Sequence, residues 1–181
     1  MKSIFVVIGG PGFGKTTLVR ALEKRGFFCQ YDDFSRELIR ELSKKGAAVD
    51  TGGYDFNRAI TKKRVEQFRR APRDAICFFD RGVPDGLAYM ESPPEEMMEM
   101  ARRYRYQPTV FVTPPWREIF KGREADTGRA EGGFGEALRL HGLILSAYRQ
   151  LGYRLAEVPK CGVEERADFV LKNVRLSGQQ G

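Results

Sequence analysis

The chain is poor in the residues that build metal centres and covalent cross-links. Its 181 residues include one histidine (His141), one tryptophan (Trp116) and three cysteines. Cys29, Cys77 and Cys161 stand far apart, are odd in number and form no Cys-x-x-Cys pair. That pattern argues against a zinc ribbon and against a paired disulfide framework; reduced thiols in a cytoplasmic compartment are the expectation. No apolar run approaches the roughly 20 residues of a membrane helix, and no signal-peptide cleavage pattern follows the short apolar run after Met-Lys-Ser. Repeats, low-complexity tracts and long linkers are missing. A formal charge of +7, from 31 Lys and Arg against 24 Asp and Glu, gives general attraction to anions. Basic residues are not interleaved with aromatics in one strip, so nucleic acid ranks last among candidate partners and a small molecule first.

What is present is concentrated near the N-terminus. Gly9-Gly10-Pro11-Gly12-Phe13-Gly14-Lys15-Thr16 fits G-x-x-x-x-G-K-[ST]. The apolar run Ile4–Ile8 precedes it, and the helix-compatible segment from Thr17 to Lys24 follows. Glycines let backbone N–H groups approach phosphate oxygens without Cβ clashes, and a following helix points its positive dipole end at the same place. Lys15 adds a full positive charge within reach of the β- and γ-phosphates, and the Thr16 hydroxyl is placed to ligate Mg²⁺. Residues 9–17 are therefore expected to hold ATP with Mg²⁺; no Asn-Lys-x-Asp guanine-reading motif of the usual GTPase type occurs, which favours ATP over GTP.

Strand-like and helix-like runs alternate, which predicts an α/β domain with a largely parallel sheet. Strands are expected at about 3–8, 27–31, 75–79, 108–112 and 153–157, and helices near 15–25, 34–45, 55–70, 94–104, 116–121, 134–151 and 163–173. One domain is expected over 1–176, with a frayed tail at 177–181. Val83 to Pro94 carries turn residues and reads as a loop. Glycines at 122, 128, 132, 133 and 135, with Arg123 and Arg129 among them, suit a closing lid over about 117–135.

Carboxylates fall where an open parallel sheet gathers its chemistry, at the carboxyl ends of strands. Ala75–Phe79 ends in Asp80, the expected second contact to Mg²⁺ beside Thr16. Arg81 comes next, suited to balancing phosphate charge or to pairing with a carboxylate. Phe27–Tyr31 ends at Asp32-Asp33; either carboxylate could orient the acceptor hydroxyl or cap the following helix, and Asp33 is the one expected at the acceptor. Arg36 lies one turn beyond Asp33 and shares its face. Asp85 and Tyr89, four apart, are expected to read the acceptor.

On these residues the chain resembles the P-loop kinase superfamily. Within it, the resemblance is to the AAA-type ATPase domain family that includes the nicotinamide riboside kinase domain of NadR proteins. The carrying segments are Gly9–Thr17, Asp33–Arg36, Asp80–Asp85 with Tyr89, Val110–Trp116, Gly152–Leu155 with Val158-Pro159, and Glu164–Ala167. The resemblance implies a three-layer P-loop NTPase fold: a five-stranded parallel sheet in order 2-3-1-4-5, helices on both faces and an arginine-bearing lid. It implies ATP and Mg²⁺, with Pro159 beside the adenine. Two positions depart from the family pattern. Asp33 stands where related proteins usually carry Glu, and Asp126-Thr127-Gly128-Arg129 stands where they carry a closely spaced Asp and Arg.

The expected function is transfer of the γ-phosphate of ATP to a small-molecule hydroxyl or phosphate, with a nucleoside or ribosylated vitamin as the acceptor type. Lys15, Asp33, Asp80, Arg123 and Arg129 are the catalytic candidates, and Asp33, Arg36, Arg81, Asp85 and Tyr89 the acceptor-binding ones. A nucleotide-dependent binding module or ATPase with little turnover is the second reading, and a polynucleotide 5′-hydroxyl kinase the third.

Overall fold

Alternation along the central strands explains the architecture. In the computed structural model, which describes residues 2–44, 53–120 and 133–178, strand β1 (Ser3–Ile8) is fully apolar from Ile4 onward. Successive side chains of a strand point to opposite faces. Ile4, Val6 and Ile8 therefore enter one core and Phe5 and Val7 the other. A strand apolar on both faces must lie in the middle of a covered sheet.

The elements follow in the order β1, α1 (Lys15–Lys24), β2 (Phe28–Gln30), α2 (Asp33–Lys44), α3 (Tyr54–Arg70), β3 (Ile76–Asp80), a 3-10 helix (Val83–Tyr89), α4 (Glu95–Arg103), β4 (Thr109–Val112), α5 (Phe134–Gln150), β5 (Arg154–Glu157) and α6 (Val163–Gly178). The sheet is parallel throughout, in the order β2-β3-β1-β4-β5. β1 pairs with β3 from Ser3↔Ile76 to Val7↔Asp80, so Asp80 ends its strand alongside the start of the phosphate loop. One core joins the sheet to α4, α5 and the 3-10 helix through Met97, Ala101, Ile144, Tyr148, Val83 and Leu87. The other joins it to α1 and α6 through Leu18, Leu22, Ala167 and Val170. A satellite of Ile39, Phe56 and Ile60 holds α2 against α3.

Fold class and strand order are as expected, while three local expectations need correction. Val83–Tyr89 is a 3-10 helix rather than a loop, because Pro84 suits a first turn and Asp85 N–H and Met90 N–H bond back three residues to Gly82 and Leu87. Residues 117–119 form a turn, not a helix over 116–121. α6 runs to Gly178, past the expected tail boundary. The rest of the expected lid, 121–132, lies outside the described residues.

Candidate nucleotide and acceptor site

Helix α1 begins without a side-chain cap and without an acidic residue in its first turn, unlike α2 to α6, each of which carries Asp or Glu there. With no acidic side chain in its first turn, its positive end is left to an outside anion. The chain reaches this helix through three glycines at positive φ: Gly9 at 140°, Gly12 at 77° and Gly14 at 80°. At Gly9 a Cβ would also come within 2.6 Å of the Thr113 carbonyl oxygen and 2.5 Å of its Oγ1, so only glycine lets the loop pass the end of β4.

Side chains from elsewhere fix the loop's shape. Phe13, 1 % exposed, is the plug: its ring meets Phe120, Phe134 and His141. His141 Nδ1 accepts the Gly10 N–H at 3.1 Å. Burial, with the Lys15 and Arg149 charges behind it, pushes His141 down from 6.5 to about 4, so the ring is neutral at neutral pH and keeps the lone pair that this bond needs. Lys15 Nζ donates to the Gly10 carbonyl at 2.7 Å.

Thr16 and Asp80 meet as expected: the Thr16 hydroxyl donates to Asp80 Oδ2 at 2.5 Å. The other oxygen, Asp80 Oδ1, is buried and has no partner. Burial pushes the Asp80 carboxyl up, against the pull of Lys15, Thr16 and Arg81. A hydroxyl and a carboxylate with one open oxygen fit Mg²⁺, which takes few protein oxygens and keeps water and phosphate for the rest. Among the described residues no larger His, Cys, Asp and Glu cluster exists to hold a different metal.

Next to this pair lies a buried arginine–carboxylate network. Arg81 has φ 76°, in the left-handed region that costs an L-residue about 1–2 kcal/mol. The conformation is held at both ends: Arg81 N–H continues the ladder to the Val7 carbonyl at 3.1 Å, and its guanidinium pairs with Asp85 at 3.0 Å and Asp32 at 3.4 Å. Burial opposes its charge, but Tyr89, Asp85, Asp32 and Asp80 together hold it above the ordinary arginine range. Arg64, on α3, donates to Asp32 Oδ2 at 2.9 Å. Asp32 Oδ1, Arg64 Nε and Thr61 Oγ1 are buried without partners.

This arrangement separates two of the expected acceptor residues from the position expected of them. Asp33 is exposed at the first position of α2, whereas Asp32, its side chain 10 % exposed, carries the carboxylate that meets Arg64 and Arg81. The chain turns between β2 and α2, and that turn sends Asp32 inward. Asp85 is wholly buried; its Oδ1 accepts from Arg81, and its Oδ2 accepts from Gly82 N–H at 2.9 Å and Tyr148 O–H at 2.8 Å. Both of its oxygens are thus engaged inside the protein, one of them by Arg81. Tyr89 is half-buried near Arg81. Pro159 is exposed just after β5, whose end is tied to β4 through Val158 N–H and the Val112 carbonyl. Thr17 and Gly12 are exposed and Pro11 buried. The Arg36 side chain, Arg123 and Arg129 lie outside what is described. Sequence reasoning weighed Asp32 but preferred Asp33, and missed Thr61, Arg64 and His141; Thr61 and Arg64, one turn apart on α3, were the available signal, being polar on a face that also carries Val65 and Ile60 inward.

Comparison with known proteins bears on the fold and the family. A protein from Geotalea daltonii named only as a nucleotide-binding protein is 34 % identical over 90 residues, covering 42 % of this chain and 30 % of that one. The chain thus spans under a third of the length of the curated relatives it matches. The NadR protein solved in complex with NR superposes with a TM-score of 0.68 at 17 % identity, over 97 % of this chain and 51 % of that one. Thymidylate kinase from Candida albicans gives a TM-score of 0.67 at 9 % identity, over 99 % and 94 %. These likenesses establish a P-loop kinase-like fold. With its phosphate loop, its Thr16–Asp80 pair and a family model matching residues 4–166, the chain belongs to the AAA domain family.

Proposed function

We propose that the chain is an ATP- and Mg²⁺-dependent phosphotransferase acting on a small-molecule acceptor bound beside Asp32, Arg64 and Arg81. One observation carries this reading: beside the phosphate loop, Asp32 Oδ1 and Arg64 Nε are buried with no hydrogen-bond partner among the described residues. An unmade buried hydrogen bond costs about 1–3 kcal/mol, and an acceptor able both to give and to take a hydrogen bond there removes that cost. Charge supports a hydroxyl over a phosphate as the accepting group. Arg64 and Arg81 are matched by Asp32 and Asp85, which leaves the described part of the pocket no spare cation.

In this reading Gly9–Thr17 binds the triphosphate through backbone amides, and Lys15 neutralises its far end. Thr16 and Asp80 hold Mg²⁺, which when bound supplies charge stabilisation to the phosphoryl group. Asp32 accepts a hydrogen bond from the attacking hydroxyl and aligns it. Because the phosphoryl transition state is loose, alignment matters more than deprotonation. Pro159 borders the adenine. Arg123 and Arg129 close over the γ-phosphate, and Arg36 and Tyr89 border the acceptor; closure excludes water that would otherwise hydrolyse ATP.

A panel of nucleosides, ribosylated vitamins and sugars, each beside its monophosphate, tests the proposal by ATP-dependent product formation. Product from an uncharged member, abolished by Lys15→Ala, is expected. Product that survives Lys15→Ala contradicts the assignment. The second reading, a nucleotide-dependent binding module, is favoured by one fact, that the relatives carry no name beyond nucleotide binding. It predicts partner affinity that differs between nucleotide states, with no phosphorylated product.

A further inference from the structure

Among the described residues, one buried cation at the phosphate loop has no counter-charge. Arg166, in the first turns of α6, is only 6 % exposed. The carboxylates around it are engaged elsewhere: Glu164 and Asp168 pair with Arg25 at 2.8 and 2.6 Å, and Glu165 accepts the Gly162 N–H at 2.9 Å. Arg166 Nε is buried without a hydrogen-bond partner. What the guanidinium does touch is the nucleotide site. It lies 5.6 Å from the ring centroid of Trp116, and its Nη1 sits 2.9 Å from where a Cβ on Gly14 would be. Burial without an offsetting carboxylate weakens its hold on its proton, with only Cys161 acting the other way.

A buried guanidinium with no anion is costly unless an anion arrives during function. We infer that Arg166 is a phosphate ligand of the bound nucleotide, reaching the loop at Gly14 from the C-terminal helix while Lys15 serves it at Gly10. The inference rests on the nucleotide-binding reading of the loop and adds a residue to it. A guanidinium offers oxygen a planar fork of N–H donors, the geometry in which arginine outperforms lysine. Trp116, the chain's sole tryptophan, thereby becomes a built-in reporter of loop occupancy.

Binding of Mg-ATP, Mg-ADP and Mg-tripolyphosphate is measured by calorimetry and by Trp116 emission in the wild type, Arg166→Met and Arg166→Lys, with the melting temperature of each free protein. The methionine variant is expected to bind all three ligands at least about tenfold more weakly, about 1.4 kcal/mol, and to lose the emission change. Its free melting temperature is expected to equal or exceed that of the wild type, since an unpaired buried charge has been removed. Lysine restores part of the affinity. Affinities within twofold of wild type reduce Arg166 to a packing element and overturn the inference. So does weakened ATP and ADP binding with tripolyphosphate unchanged, which makes Arg166 a base contact. Should the methionine variant not fold, Arg166→Gln is judged by the same criteria. A wild type that binds none of the three overturns the nucleotide reading itself, a result distinct from failure of Arg166 alone.

Discussion

Replacing Asp85 by Asn tests whether the buried network is a structural device. The two side chains have nearly the same shape, so packing is preserved and only charge and hydrogen bonding change. In the wild type Oδ1 faces one donor, on Arg81, and Oδ2 faces two, on Gly82 and Tyr148. An amide has one acceptor end and one donor end. Whichever way it is turned, its NH₂ meets a donor, and Arg81 loses a full counter-charge. Removing one partner of a buried ion pair costs about 3–5 kcal/mol. Asp32 still lies 3.4 Å from Arg81, which places the expectation at the lower end, about 3 kcal/mol. For a chain of this size that is a fall in Tm of about 6–12 °C. Urea unfolding followed by circular dichroism gives the free energy directly. Combining Asp85→Asn with Arg81→Met should cost at least about 1 kcal/mol less than the sum of the two single changes. A loss below about 1 kcal/mol for Asp85→Asn, or strict additivity in the double variant, refutes the claim that Asp85 holds Arg81 in place.

Three further outcomes follow from the same geometry. His141, lowered to about 4 in the fold against 6.5 ordinarily, binds a proton in the unfolded chain before it does in the folded one; its contribution is therefore complete above about pH 6.5 and is lost as pH falls towards 4. His141→Gln should flatten that limb in urea midpoints taken across the range, and an unchanged slope contradicts the neutral, accepting role. Gly9→Ala combines a φ of 140° with approach to the Thr113 backbone, and should cost about 2–4 kcal/mol from strain and overpacking; a fully stable alanine variant in thermal melts means that the loop does not pass Thr113 as described. Asp32→Asn should lower kcat for any confirmed acceptor by about a hundredfold or more, while Asp33→Asn stays within a few-fold; the reverse ranking returns the acceptor carboxylate to Asp33.

The phosphate loop was legible because its requirements are local: glycines, Lys15 and Thr16 are contiguous, and an apolar strand directly precedes them. Asp80 was legible from the same logic, since its strand pairs with β1 and ends at the same level. The choice between Asp32 and Asp33 was not, because β2 ends at Gln30 and strand alternation gives no direction to the residues that follow it. Arg64 and Thr61 were overlooked in an otherwise ordinary helical pattern, although they share a face with Ile60 and Val65; what that face meets is set by residues far along the chain. The 3-10 helix was read as a loop because Pro84 and Gly86 are turn residues in most settings, and its stability comes from Asp85, Tyr106 and Tyr148, the two tyrosines lying far along the chain. Arg166 was legible only as part of the Glu164–Ala167 segment, since its distinction lies in the prior engagement of Glu164, Glu165 and Asp168.

The central claim is that residues 9–17 hold a nucleoside triphosphate, and calorimetric titration of the purified chain with Mg-ATP tests it most directly. Saturable binding below about 1 mM, lost in Lys15→Ala with the fold intact, is the predicted result. A wild-type chain that takes up no nucleotide at millimolar concentration with Mg²⁺ present, or a Lys15→Ala chain that binds equally well, contradicts it.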